Sequence, residues 1–305
     1  MILATAQGYP ITPSDARLGE ELETRGACVT AAPWDTISPA KSNGALVILR
    51  STWDYHHRSR EFRHWIQAWD SKPAALWNPP TTVLWNMDKI YLRDLADRGV
   101  ALPPTHWSEP GERPDVEGFF ERTGTRAAVV KPRISATAWG TRLLDSAADL
   151  EGADATPLVS SGAVVQAFVP EIRTRGELSL IYVDGRFGHA VRKRPAAGDF
   201  RVQSEFGGGI EPCEVGDEER AFGETVLAAA PHPWLYARVD LVQTAKGPVL
   251  MELELIEPSL FFESATGRKS AAALAEAILR AAGDPNPAGS PGDSQGSDPA
   301  RRHTP

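Results

Sequence analysis

Residues 249 to 258 read VLMELELIEP. In an extended strand the side chains alternate between faces, so Met251, Leu253 and Leu255 are expected on one side and Glu252 and Glu254 on the other, with Glu257 just beyond. Same-face neighbours stand roughly 7 Å apart. At an effective dielectric of 20, two unit charges at that distance repel by about 2.4 kcal/mol before desolvation is counted. An edge strand with one solvated face tolerates such a pair without any partner. The ARVDLV run that precedes it by a hairpin shifts the balance, because it can bring Asp240 beside Glu252 on the same face. Three carboxylates on one surface need cations. An all-oxygen set points to magnesium held jointly with phosphate oxygens, and so to a phosphorylated ligand.

Cations that could face such a ligand occur at the ends of predicted elements. Lys131 closes AAVVKP, Lys89 opens a helix in NMDKIYL, and Lys193 and Arg201 lie in AVRKRPAAGDFRVQ. Each alone reads as a surface charge, but a lysine directly after a four-residue apolar strand has a partly buried stem. No GxxxxGK[ST] motif occurs, no GxGxxG follows the first strand, and Gly207 to Gly209 read as a flexible turn. A second group lies in ALVILRSTWDYHH, which sets Arg50, Ser51, Thr52, Trp53, Asp54 and Tyr55 beyond the carboxyl end of a strand, where open α/β sheets bind ligands. Arg50 could clamp a substrate carboxylate and Asp54 could orient an amine. The structural alternative is an Arg50–Asp54 pair with Trp53 filling an interface. His56 and His57, as neighbours, point opposite ways, so an exposed loop is expected there rather than a metal site.

The elements that must hold these residues fall into two styles. ILATA, ACVTAA, ALVILR and AALWN read as strands alternating with helices SDARLGEELETRG, capped by Ser14 and stopped at Gly26, and RSREFRHWIQAW. That order predicts a small parallel α/β domain. MDKIYLRDLADRG is a further helix ended by Gly99. From AAVVKP onward strands dominate: AVVQAFV, then ELSLIYVDGRFGHAVRKRP with a tight turn at Asp184-Gly185, then WLYARVDLVQTAKGPVLMELELIEP with a turn near Lys246-Gly247. DEERAFGETVLAAA and SATGRKSAAALAEAILRAAG are helical, and a disordered tail is expected beyond Gly283. The chain of 305 residues suits two or three packed domains, and 42% hydrophobic with 24% charged residues is an ordinary soluble composition. A net charge of -8 argues against a nucleic-acid partner. Cys28 and Cys213 have no metal-type spacing. No secretory leader or membrane span is read, so a cytoplasmic protein is expected.

The ordered set NMDK, VVKP with a following loop, VVQAFVPEI with GE shortly after, AVRKRP with a later Arg, RVDLV and MELE resembles the ATP-grasp superfamily, within it the glutathione-synthetase-like carboxylate–amine ligases. The resemblance covers roughly residues 86 to 282. It implies an α/β protein, α+β in its C-terminal part, with an ATP-grasp fold behind a Rossmann-like pre-ATP-grasp domain. The implied division is 1–85 for the first domain, 86–162 and 163–283 for the two ATP-grasp subdomains, and 284–305 for the tail. By the resemblance Lys89 and Lys131 hold nucleotide phosphates, with Ser135 and Thr137 of the covering loop assisting. Gln166 lies near the adenine amine, and the backbone of Ala167 and Val169 pairs with the ring edge. Glu177 takes the ribose hydroxyls, and Lys193 and Arg201 face the transferred phosphoryl group. Asp240, Glu252 and Glu254 hold two magnesium ions, for which manganese is an expected substitute. Two departures stand out: the covering loop RISATAWGT keeps only Gly140 of a usually glycine-rich segment, and Glu254 stands where most relatives have asparagine.

The implied reaction is activation of a carboxylate by ATP to an acyl phosphate that an amine-type nucleophile attacks, on an amino-acid-like small-molecule substrate. RSTWDY and ELELIEPSLFF resemble the ATP-grasp cyclo-ligases that close D-cycloserine from O-ureido-D-serine, which implies attack within a single molecule. An intermolecular dipeptide-type ligase, a small-molecule kinase and an inactive nucleotide-binding regulatory module are the alternatives. Whether the chain forms a homo-oligomer is left open by the sequence.

Overall fold

The computed structural model describes residues 1–150, 155–202 and 206–283; the tail expected from 284 lies outside them. Strands β1 (Ile2–Thr5), β2 (Thr30–Pro33), β3 (Val47–Ser51) and β4 (Leu76–Trp77) form a parallel sheet in the order β2-β1-β3-β4. It is flanked by α1 (Pro13–Thr24), α2 (Ser59–Gln67) and α3 (Pro80–Asn86). Thr12, not Ser14, caps α1: its Oγ1 accepts from the Asp15 N–H at 3.0 Å and Pro13 occupies the first turn. Ser14 is buried, and its Oγ accepts from the Phe262 N–H at 3.1 Å.

The second sheet is antiparallel. It contains β5 (Thr105–Ser108), β6 (Ala128–Pro132), β7 (Arg142–Leu144) and β8 (Ala163–Ala167) in the order β5-β8-β6-β7; α4 (Tyr91–Asp97) precedes these strands, and α5 (Val116–Thr123) and α6 (Thr156–Ser160) lie between them in the chain. The helix expected over MDKIYLRDLADRG begins only at Tyr91, so Lys89 sits in the turn between α3 and α4.

After α7 (Glu171–Arg175) comes the third sheet, also antiparallel. Its strands are β9 (Glu177–Val183), β10 (Arg186–Arg194), β11 (Gly209–Cys213), β12 (Tyr236–Thr244) and β13 (Gly247–Glu254), in the order β11-β10-β9-β12-β13. Helix α8 (Asp217–Ala229) precedes β12, and α9 (Gly267–Gly283) closes the described chain. Asp184 and Gly185 have φ of 49° and 76°, as a tight two-residue hairpin requires.

Strand β13 is an edge strand, yet its edge is not left to solvent. Asn86 donates to Leu253 O (2.9 Å) and accepts from Leu255 N (2.8 Å), Tyr91 Oη accepts from Leu253 N (3.1 Å), and Leu250 N donates to Ala101 O (2.9 Å). Side chains and loops from the preceding segment thus complete the ladder. The strand also carries a bulge. Asp240 pairs with Glu252 but Leu241 pairs with Leu250, which leaves Met251 as the extra residue. In consequence Leu250, not Met251, joins Leu253 and Leu255 in the core packed by α4 and α8, while Met251 turns toward the cleft beside Glu252. Helix α9 returns to the first sheet, where Leu274 and Ile278 pack with Leu18, Leu22 and Ile48.

Candidate functional site

A cleft between the second and third sheets is lined by all thirteen residues expected at the nucleotide, the metal and the transferred group. Lys131 comes from the end of β6 and Gln166 from β8. Glu177, Lys193, Asp240, Glu252 and Glu254 come from β9, β10, β12 and β13. Ala167 and Val169 lie at the connection of the two sheets, Ser135 in the loop after β6, and Arg201 after β10.

Strand register brings the charged groups together. Asp240 and Glu252 are direct cross-strand partners, and Asp240 pairs with Ser179 on its other side. Lys193 pairs with Glu177 across β9 and β10. Direct partners share a face. The start of β9 runs so close to β10 that a Cβ on Gly176 would stand 2.5 Å from Lys193 O, and the backbone there (φ 75°, ψ −178°) is one only glycine adopts readily.

The acids and bases form a chain of contacts. Lys193 Nζ lies 2.5 Å from Glu177 Oε1 and 3.1 Å from Asp240 Oδ2. Asp240 also accepts from Ser179 Oγ (2.5 Å) and from Arg238 Nη2 (2.9 Å), and Arg238 bridges onward to Glu254. Lys89 Nζ meets Glu252 Oε1 at 2.7 Å and donates to Ser135 O at 2.9 Å. Lys131 is different: among the described residues no ion pair includes it, and burial lowers its pKa while Glu252 opposes that shift.

These neighbours set the protonation states. Burial would raise Asp240, but Arg238 and Lys193 hold it well below the usual carboxylate range. Burial would lower Lys193, and Asp240 with Glu177 reverses that. Burial opposes ionisation of Glu252, yet Lys89 and Lys131 pull it down. Burial wins at Glu254, pushed up to about 7, and at Glu257, pushed up to about 8 with Glu254 adding to the shift. Glu177 is also raised by burial despite Lys193. Five acids and five bases line the cleft. With Glu254 and Glu257 partly protonated near neutral pH, the balance is positive, which suits a polyphosphate.

Among the described residues no group of three or more His, Cys, Asp or Glu side chains is assembled to hold a metal ion by itself. Asp240, Glu252 and Glu254 share a surface but each is held by a cation. That donor set still fits magnesium, which binds through one or two carboxylates plus phosphate oxygens and water rather than an all-protein cage.

Several expectations are corrected. Arg50 and Ser51 do not line the cleft. Arg50 is buried with Nε on Asp15 Oδ1 (2.7 Å) and Nη2 on Pro258 O (2.6 Å), and Ser51 Oγ donates to Asp15 Oδ2 (2.7 Å). Asp54 accepts from Trp34 Nε1 (2.8 Å) and pairs with Arg58 (3.3 Å), so neither a substrate clamp nor an Arg50–Asp54 pair exists. An inward-facing arginine pairs with the nearest buried carboxylate, and that carboxylate came from α1, although among the described residues Arg50 Nη1 is left without a hydrogen-bond partner. The Ala167 N–H donates to Pro104 O (2.8 Å) and is not free for a nucleobase. Arg201 lines the cleft, but its Nη2 pairs with Asp199 Oδ2 at 2.8 Å. His57 is exposed as expected, but His56 is buried, with its ring centroid 5.4 Å from that of Trp139 in the covering loop and the two planes tilted by 53°. In that loop Thr137 and Ala138 adopt φ of 51° and 56°, left-handed conformations that glycines would otherwise supply.

Sequence reasoning assigned no role to Arg238, although its position two residues before Asp240 put it on the same strand face. Glu257, which had no assigned role, also lines the cleft, as do Trp53 and Tyr55, which the sequence set at the ligand-binding end of a strand, with Trp53 alternatively filling an interface.

The comparisons agree with this geometry. Residues 93–278 match the RimK-like ATP-grasp domain, and residues 1–78 match the N-terminal domain of D-cycloserine synthetase DcsG. The cycloserine biosynthesis protein DcsG of Streptomyces lavendulae is 30% identical over 296 residues, covering 91% of this chain and 98% of that protein. A probable alpha-L-glutamate ligase 2 of Shewanella amazonensis is 26% identical over 204 residues, 66% of each chain. The crystal structure of D-cycloserine synthetase DcsG superposes with a TM-score of 0.80 at 27% identity, covering 92% of this chain and 99% of that one. Among the described residues no helix is long and apolar enough to cross a membrane.

Proposed function

The chain belongs to the RimK-like ATP-grasp family and is an ATP-grasp ligase, and on that premise we propose that it closes a ring within an aminooxy-type amino acid, as in the formation of D-cycloserine from O-ureido-D-serine. Supporting the ring closure is the likeness to DcsG along nearly the whole chain, first domain included. For the chemistry the main support is the convergence of Lys89, Lys131 and Lys193 with Asp240, Glu252 and Glu254 in one cleft.

In this reading Lys89 and Lys131 hold the phosphates of ATP, Ser135 lies under them, and Gln166 and the backbone at Val169 receive the base, with Glu177 at the ribose. Asp240, Glu252 and Glu254 would hold magnesium, two ions in our reading and replaceable by manganese, which neutralises phosphate charge. A substrate carboxylate oxygen attacks the γ-phosphorus, the bond to ADP breaks, and an acyl phosphate forms. Arg238 and Lys193, fixed by shared contacts to Asp240, offset the charge that develops, and Arg201 adds to it once exchanged from Asp199. The nucleophilic nitrogen of the same molecule then attacks the carbonyl carbon, phosphate leaves, and the nitrogen gives up a proton; with O-ureido-D-serine the carbamoyl group on that nitrogen is also lost to water, as carbon dioxide and ammonia, to give D-cycloserine. No covalent protein nucleophile is needed, since the work is alignment and charge neutralisation.

The test is ADP release with O-ureido-D-serine and with a panel of amino acids and amines, followed by mass spectrometry. The expected product is cyclic, with phosphate released. A linear amide formed only when a second amine is supplied would replace ring closure with intermolecular ligation. A stable phosphate ester would make the protein a kinase, and no ADP with any substrate would leave a regulatory module.

A further inference from the structure

Glu257 stands outside the network of cleft ion pairs. It lines the cleft at 6% exposure, and among the described residues no ion pair includes it. Burial pushes it up to about 8. Its backbone is anchored on both sides: Trp53 Nε1 donates to Glu257 O at 3.3 Å, and Arg50, itself held by Asp15, donates to Pro258 O at 2.6 Å. This segment therefore sits at the carboxyl end of β3, past the end of β13, where the first sheet would present a ligand. Trp53 and Tyr55 line the same cleft. A buried carboxyl with no cation on it favours an incoming ammonium group, whose charge stabilises the ionised carboxylate as the proton leaves, and aromatic faces attract a cation too. Nearby, Arg238 Nη1 donates to Ser259 O at 3.2 Å, so a guanidinium and a lone carboxyl flank one short segment. An α-amino acid carries a carboxylate and an ammonium on a single carbon, and this pair of opposite charges complements it.

We propose that Glu257, flanked by Trp53 and Tyr55, binds the ammonium group of the amino-acid substrate and so selects amino acids over simple carboxylic acids. The proposal rests on the ligase reading. Its test is equilibrium binding of O-ureido-D-serine and of its analogue lacking the amino group, measured by calorimetry on protein loaded with magnesium and a non-hydrolysable ATP analogue. A charge-assisted contact predicts about 10- to 100-fold preference for the amino compound in the wild type. Glu257→Gln should abolish that preference and leave nucleotide affinity unchanged, and Glu257→Asp should retain part of it. A wild type that binds both compounds alike, or neither, overturns the proposal, as does a Gln variant that keeps the preference. If the Gln variant no longer binds nucleotide, the Asp variant decides: an undiminished preference there overturns the proposal. ADP formation is scored separately. Turnover without amine preference removes only this subsite, whereas amine preference without turnover removes only the ligase reading.

Discussion

Lys131 and Lys193 both reach the cleft, but truncation removes different things from each. Lys193 neutralises Glu177 and Asp240, both buried, and breaking such a pair costs about 3–5 kcal/mol because a charge is left behind. Lys131 has no ion pair to lose among the described residues. Lys131→Ala should therefore lower ADP formation by about 100-fold while leaving the melting temperature nearly unchanged. Lys193→Ala should lose activity and several degrees of melting temperature together. Coupled ADP assays and thermal unfolding check both, and a Lys131→Ala enzyme with wild-type rates would remove that lysine from the phosphate site. Most of the site was legible at this scale because chemistry restricts residue type. Arg50, Ser51 and Asp54 were misread because sequence shows which strand end a charge occupies but not which carboxylate folds against it.

The two sheets position the site through a few irregular points. Gly176 lets β9 approach β10 closely enough for Glu177 to reach Lys193. Gly176→Ala forces an unfavourable backbone and a clash with Lys193 O, so stability should fall by about 1–3 kcal/mol and the KM for ATP should rise. Denaturant unfolding and steady-state kinetics test this, and an unchanged KM would separate the glycine from the nucleotide site. Elements with a strong period, such as β9, β10 with its Asp184-Gly185 turn, β12 and α9, were readable in advance. The short strands β5, β7 and β11 were not, since three to five partly exposed residues carry too little alternation. The bulge at Met251 escaped too, because strict alternation assigns it to the core and only pairing with β12 reveals the extra residue.

The whole molecule should show a maximum of stability in mildly acidic solution. His56 and His189 are held to about 4 by burial, against 6.5 when free. Their neutral forms favour the fold, and that contribution is present above 6.5 and lost as pH falls toward 4. Glu254 and Glu257 shift the other way, to about 7 and about 8 from 4.5. The folded chain keeps protons that the unfolded chain releases, so their contribution is complete below 4.5 and lost as pH rises through 7 and 8. Above pH 6.5 only the carboxyl effect operates among these four, and the melting temperature of the ligand-free protein should fall toward pH 8.5. Glu257→Gln should flatten that decline, as read by thermal unfolding across buffers. A slope identical to wild type would mean Glu257 ionises freely in the fold.

The sequence by itself determined the family, the strands and helices of strong period around the cleft, and the lysines and carboxylates that line it, because charged side chains of these types recur in a fixed order along the chain. Tertiary structure alone decided which charges are paired and which are left free. Asp15 on α1 claims Arg50, Arg238 ties Asp240 to Glu254, and Glu257 has no ion pair among the described residues. Pairing depends on distances between segments far apart in the chain, 208 residues for Arg50 and Pro258, and no local pattern encodes them.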